Sequence, residues 1–142
     1  MSIFQTSREL SASPSEVFAA ISDGERLARW WGPAGFTNTF DIFEFKTGGQ
    51  WKFTMHGPNG ANYPNESRFT EIVPDAKVVI RHIVAPLFEL TITLSPSSAG
   101  SLLSWVQAFD DPAVAAAVKH IVEPSNEENL DRLAAEVSGR PH

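Results

Sequence analysis

The chain has 142 residues, 10 Phe and 4 Trp among them, and no Cys; 42% of its residues are apolar and 20% charged. That composition supports one ordinary core without metal or disulfide staples and excludes thiol catalysis, cysteine zinc sites and general disorder. With 11 basic against 17 acidic residues and a net charge of −6, the balance argues against a phosphate-backbone partner or an anionic membrane surface.

Ile3–Leu10 lacks Gly and Pro, alternates loosely and predicts a strand. Ser13-Pro14-Ser15-Glu16 reads as a helix start, with Ser13 as N-cap, Pro14 at the first helical position and Glu16 completing a capping box. A second short helix fits Gly24 to Trp31, stopped by Gly32-Pro33. From Phe36 the apolar period becomes two. Six strands follow: Phe36–Thr47, Gln50–His56, Asn65–Val73, Lys77–Val84, Leu87–Ser95 and Ser101–Phe109, joined by short Gly- and Pro-bearing turns. This is an antiparallel meander. Asp110 or Asp111 then caps a helical stretch that Pro124 is expected to break. Beyond the break, Ser125 to Val137 predicts a terminal helix about 20 Å long, with Leu130, Leu133, Ala134 and Val137 on one face. Ser138 to His142 are expected to fray. The whole, residues 1–142, reads as one α+β domain in which about seven curved antiparallel strands wrap a long C-terminal helix, with two short helices between the first and second strands.

Strand parity chooses the inward side chains. Phe88, Leu90, Ile92 and Leu94 oppose Glu89, Thr91 and Thr93. Trp51 and Phe53 share a face, as do Trp105, Gln107 and Phe109, and as do Ile80 and His82. Phe40, Phe43 and Phe45 can all point inward only across a bulge near Asp41-Ile42. These rings, facing a helix of Leu, Ala and Val, enclose either a filled aromatic core or a cavity for an apolar ligand. The candidate ligand-binding residues are Trp30, Phe40, Trp51, Phe53, His82, Phe88, Trp105, Gln107, Asn129 and Leu133, with His82 and Gln107 to orient the ligand. Of the Trp30-Trp31 pair, one ring is expected inward and the other partly exposed, where it could gate an entrance.

Several strings carry a resemblance: Trp30-Trp31-Gly32-Pro33, Phe36-Thr37-Asn38-Thr39-Phe40, Gly48-Gly49-Gln50-Trp51, Met55-His56-Gly57-Pro58, Tyr63-Pro64-Asn65-Glu66 and Glu127-Glu128-Asn129-Leu130-Asp131-Arg132-Leu133. Together they resemble the START-like (SRPBCC, Bet v 1-like) helix-grip superfamily. Within it they look like the bacterial branch related to the C-terminal domain of activators of the Hsp90 ATPase. The resemblance covers Phe4 to about Val137 and implies a cavity between sheet and terminal helix. It leaves chemistry open, since the superfamily spans lipid carriers, receptors, cyclases and co-chaperones.

No G-x-S-x-G or H-E-x-x-H string occurs, and His56, His82, His120 and His142 are far apart in sequence. No catalytic residue, cofactor or metal is therefore expected. The leading expectation is non-catalytic binding of a small hydrophobic molecule, without nucleic-acid or membrane partners. Two alternatives stand beside it: an Hsp90-associated co-chaperone or stress-response adaptor, and a cyclase- or dehydratase-like enzyme using a cavity His. The eukaryotic activators have a further N-terminal domain for chaperone contact, which 142 residues do not accommodate, so direct co-chaperone action is not the first expectation. Homodimerisation through a strand edge or the Trp-bearing region is compatible with the sequence. The start of the chain lacks an export-signal pattern, and a cytoplasmic location is expected.

Overall fold

In a computed structural model, residues 2–139 are described. The chain order is β1 (Ile3–Leu10), α1 (Pro14–Ser22), α2 (Gly24–Trp30), β2 (Thr37–Phe43), β3 (Gln50–His56), β4 (Asn62–Val73), β5 (Lys77–His82), β6 (Phe88–Ser97), β7 (Gly100–Phe109) and α3 (Pro112–Ser138). All seven strands pair antiparallel in one sheet of order β1-β7-β6-β5-β4-β3-β2. The meander β2 to β7 is continuous, and β1 returns along β7. The two short helices span the resulting gap between the sheet's two edges, because β1 and β2 lie at opposite ends of the strand order.

Local chemistry sets the element starts. The Ser13 hydroxyl accepts from the Glu16 N–H at 3.2 Å, while the Ser13 N–H donates to the Glu16 carboxylate at 2.9 Å. The Ser13 backbone N–H first, and then the Ser13 side chain, hold the Glu16 carboxyl below the ordinary carboxylate range. Asp23 caps α2 and Asp111 caps α3, accepting from Ala113 N–H at 2.9 Å. The β2–β3 register shifts between Phe40 and Ile42. That bulge turns Phe40, Phe43 and Phe45 onto the same side, where all three pack against the core.

Strand limits differ from the sequence reading at a few ends. β2 stops at Phe43 rather than Thr47, β4 begins at Asn62 rather than Asn65, and β5 ends at His82 rather than Val84.

The larger difference is the terminal helix. Instead of breaking at Pro124, α3 runs through it for 27 residues, about 40 Å at 1.5 Å per residue. A proline there removes one helical N–H and crowds the preceding turn, at a cost of roughly 3 kcal/mol. Packing on both sides outweighs it. Before Pro124, Ala115 is fully buried, and Val114, Val118 and Val122 pack with Phe4, Phe88 and Phe109. After it, Leu130 and Leu133 are fully buried in the main core. Of the expected frayed tail, Ser138 is still helical and Gly139 ends the helix in the left-handed region at φ 75°; residues 140–142 lie outside the described residues.

Ion pairs tie α3 to both neighbours. Arg8 of β1 reaches Glu127 and Asp131 at 3.1 and 2.8 Å, and Arg26 and Arg29 of α2 share Glu136 at 3.0 and 2.9 Å. Accordingly, the close approaches of α3 are to β1, β7, α1 and α2. The central strands face its first half across a wider space. No helix among the described residues is long and apolar enough to cross a membrane.

Candidate functional site

That space is a cavity of about 550 Å³. It separates two apolar clusters. Trp31, Phe53, Met55, Ile80, Leu90 and Trp105 bound it from the main core. Phe109, Val118 and Val122 bound it from the smaller cluster, and Phe88 packs against both. The exposed members of its wall, Tyr63, Pro86 and Ile121, mark the mouth.

The structure brings six of the ten predicted residues to this cavity: Phe53, His82, Phe88, Trp105, Gln107 and Asn129. The other four lie outside its wall and are corrected to core positions. Trp30 is fully buried and donates its indole N–H to the Ala20 carbonyl at 2.9 Å. Trp51 is fully buried between the rings of Phe53 and Phe69, stacked on each at 4.2 and 5.7 Å. Phe40 packs on Trp51 and Phe53, and Leu133 of α3 lies at 0% exposure in the main core. Facing inward is therefore necessary for lining the cavity but not sufficient. These side chains point to the concave side at the end where α1, α2 and α3 close over the sheet, so other side chains fill the space beyond them.

Of the two adjacent tryptophans it is Trp31, half-buried, that reaches the cavity, packed edge-on against Trp51 and tilted over Trp105. Its position is set by the turn that follows. Gly32 adopts φ +97°, and a Cβ there would come within 2.8 Å of the Met55 side chain. The carbonyls at the end of α2, which a helix cannot satisfy itself, are met by side chains from elsewhere. Asn38 donates to the carbonyls of Ala28 and Trp31 at 3.0 and 2.9 Å. Asn129 donates to that of Trp30 at 2.8 Å. Arg132 donates to those of Arg29, Trp31, Gly32, Pro33 and Phe36 at 2.6 to 3.1 Å. Burial lowers the Arg132 pKa from its ordinary value, and the guanidinium sits at the negative end of α2 instead of against a carboxylate. Sequence reading expected one ring of this pair inward and the other partly exposed, but put Trp30 instead of Trp31 on the wall, and it missed Arg132 altogether. Its signal was the Gly-Pro helix stop, which leaves carbonyls needing a donor.

His82 is 5% exposed and its ring stacks on Phe88 at 4.6 Å. Nδ1 donates to the Pro86 carbonyl at 2.7 Å, and Nε2 lies 2.9 Å from Asn65 Oδ1. A protonated ring would donate to that oxygen; a neutral one would accept from the same amide turned over. Burial is the larger influence and pushes the His82 pKa down, the hydrogen bond to Pro86 opposing it and the Arg81 charge assisting. The unfolded chain then takes up a proton that the folded chain refuses. Stability from this group is complete above the unfolded value of 6.5 and declines as pH falls from there towards the lower folded pKa. Urea midpoints are therefore expected to fall between pH 6.5 and 5 for the native chain, and less steeply for His82→Gln. Equal slopes would remove His82 as the origin.

Other polar groups in the wall are Ser67, Gln107, Ser125, Asn126 and Asn129. Asn126 donates to Gln107 Oε1 at 3.1 Å. Among the described residues no cluster of three His, Asp or Glu side chains is placed to hold a metal ion.

Comparison with known structures finds the same fold repeatedly. Protein CV1439 from Chromobacterium violaceum is 28% identical, with a TM-score of 0.83 over 94% of this chain and 95% of that one. A protein from Arthrobacter aurescens reaches a TM-score of 0.90 at 22% identity, over 99% of this chain and 88% of that one. The AHSA1 protein from Silicibacter pomeroyi gives 0.77 at 22% identity, over 96% of this chain and 97% of that one. Comparison with curated proteins gives no match. The family model described as Activator of Hsp90 ATPase homolog 1-like protein matches residues 11–138. With its curved seven-stranded sheet gripping a long C-terminal helix, the chain belongs to the Activator of Hsp90 ATPase homolog 1-like family of the START-like helix-grip superfamily.

Proposed function

We propose that the protein binds a small hydrophobic or aromatic molecule non-covalently in the cavity between the sheet and α3, in the cytoplasm and without cofactor or chemistry. One observation carries this reading: about 550 Å³ of space bounded mainly by apolar side chains interrupts the core between two packed clusters. Well-packed interiors leave few voids larger than a water molecule, and small-molecule sites fall in roughly the 300–1,000 Å³ range. Burial against Phe53, Phe88, Leu90 and Trp105 supplies affinity at roughly 25 cal/mol per Å² before ordering costs.

The test combines native mass spectrometry of protein from its own host with titration of a neutral apolar fluorophore such as N-phenyl-1-naphthylamine or naphthalene. Leu90 lines the cavity at 2% exposure. Leu90→Phe is expected to weaken probe binding at least about tenfold, since added ring volume competes with the ligand, while costing only about 1–3 kcal/mol of stability. Unchanged affinity in a folded variant would place the probe elsewhere.

The family description supports a second reading, contact with an Hsp90-type chaperone. A pull-down at physiological salt that recovers no chaperone would count against it. For proton-transfer catalysis the support is thinner: both His82 nitrogens already face protein oxygens, and among the described residues the cavity wall has no carboxylate beside them.

A further inference from the structure

The chemistry of the cavity wall narrows what it can hold. Among the described residues lining it there is no Asp, Glu, Lys or Arg. Two cations next to wall residues are committed elsewhere. Arg81, on the opposite face of β5 from His82, pairs with Asp110, and the Arg132 guanidinium is spent on five backbone carbonyls. His82 presents a ring face, because Nδ1 and Nε2 are both taken by Pro86 and Asn65. Tyr63, the other titratable wall residue, stands 45% exposed at the mouth. An anion drawn inside would thus be stripped of water with no counter-charge to meet it, a cost of several kcal/mol even after relaxation.

The wall is nevertheless not uniformly apolar. Gln107 is 9% exposed and uses one amide group on Asn126. Whichever of the two amides donates, the pair keeps one N–H group and one carbonyl oxygen unspent. Asn129, 6% exposed, spends its N–H on Trp30 and retains its side-chain oxygen. Ser67, 3% exposed, adds a hydroxyl from β4. These donors and acceptors sit on β7, α3 and β4, at the walls of one apolar space. A hydroxyl group both donates and accepts, so it can satisfy either half of such a set; a hydrocarbon leaves the set unpaired.

We infer that the cavity selects neutral hydroxyl-bearing aromatic molecules, held by the Gln107–Asn126 amide pair, and excludes the corresponding carboxylates. The inference rests on the ligand-binding reading above and deepens it by naming the class of ligand.

Three isosteric probes separate the two: naphthalene, 2-naphthol, which is neutral near pH 7, and 2-naphthoate, which is ionised. Quenching of the wall tryptophans Trp31 and Trp105 reports binding. 2-Naphthol is expected to bind about 3- to 10-fold tighter than naphthalene, the worth of one net hydrogen bond. 2-Naphthoate is expected at least about 100-fold weaker than 2-naphthol. Gln107→Leu should bring naphthol and naphthalene close to parity while naphthoate stays excluded. Asn126→Ala, on a less buried position, repeats that measurement should the first variant fold poorly, and the native-chain series needs no variant at all. Naphthoate binding as tightly as naphthol, or naphthol no better than naphthalene, overturns the selectivity and leaves cavity binding standing. Failure of all three probes overturns both.

Discussion

Trp51→Ala is expected to cost about 3–5 kcal/mol of folding stability, the range for removing a large aromatic from a packed core. Trp51 is at 0% exposure. Its ring contacts Trp31, Phe40, Phe43, Phe53 and Phe69 with centroids between 4.2 and 6.2 Å, so truncation removes the centre of a six-ring cluster that cannot collapse without breaking other ring pairs. Trp31 would lose its edge-on support, and with it one wall of the cavity. The contrast with Trp51→Phe is informative. The Trp51 indole N–H is buried without a hydrogen-bond partner, a standing penalty that phenylalanine removes. Trp51→Phe is therefore expected to cost only about 1–2 kcal/mol. Guanidinium denaturation of both variants decides it: a loss under about 1 kcal/mol for the alanine variant would show that the cluster repacks.

Arg132→Met should cost about 2–4 kcal/mol, because several partly buried carbonyls lose a charged donor together. Part of the loss would be recovered by water at the exposed side of the turn. Arg132→Lys keeps the positive charge and its interaction with the end of α2 but offers donors from a single nitrogen, whereas the guanidinium divides five bonds between two. Lysine is therefore expected to recover less than half. Because the same bonds fix the turn that carries Trp31 and Phe36 into the cavity wall, both variants should weaken apolar probe binding beyond their effect on the folded fraction. Probe affinity unchanged in a destabilised but folded variant would separate the turn from the site.

Much of the architecture is legible in local chemistry. The Ser13–Glu16 capping box, the bulge that reconciles Phe40 with Phe43, and the alternation in β6 each follow from residue spacing, since each depends on neighbours a few positions apart. Gln107 and His82 were likewise placed on the inner side by strand parity, Asn129 by its place beside Leu130 on the terminal helix, and all three on the cavity wall by the structure. The misplacements share one cause. Trp30, Phe40, Trp51 and Leu133 also face inward, but which inward residues border empty space depends on where three helices lie over the sheet. Pro124 is the same lesson along one helix: its local penalty is real, and contacts made by Ala115 on one side and Leu130 on the other outweigh it.

By itself the sequence determined the order and type of elements, the side of each strand that turns from water, and the absence of cysteine chemistry, because these follow from composition and short-range periodicity. Only the tertiary structure decided that the aromatic interior is divided rather than filled. Salt bridges from Arg8, Arg26 and Arg29 hold α3 against β1, at one edge of the sheet, and against α2, which packs on β2 at the other edge. Between these anchors Val118, Val122 and Asn129 border a cavity of about 550 Å³ instead of closing on the rings of the central strands, and volume, unlike parity, is a property of distances that no single segment contains.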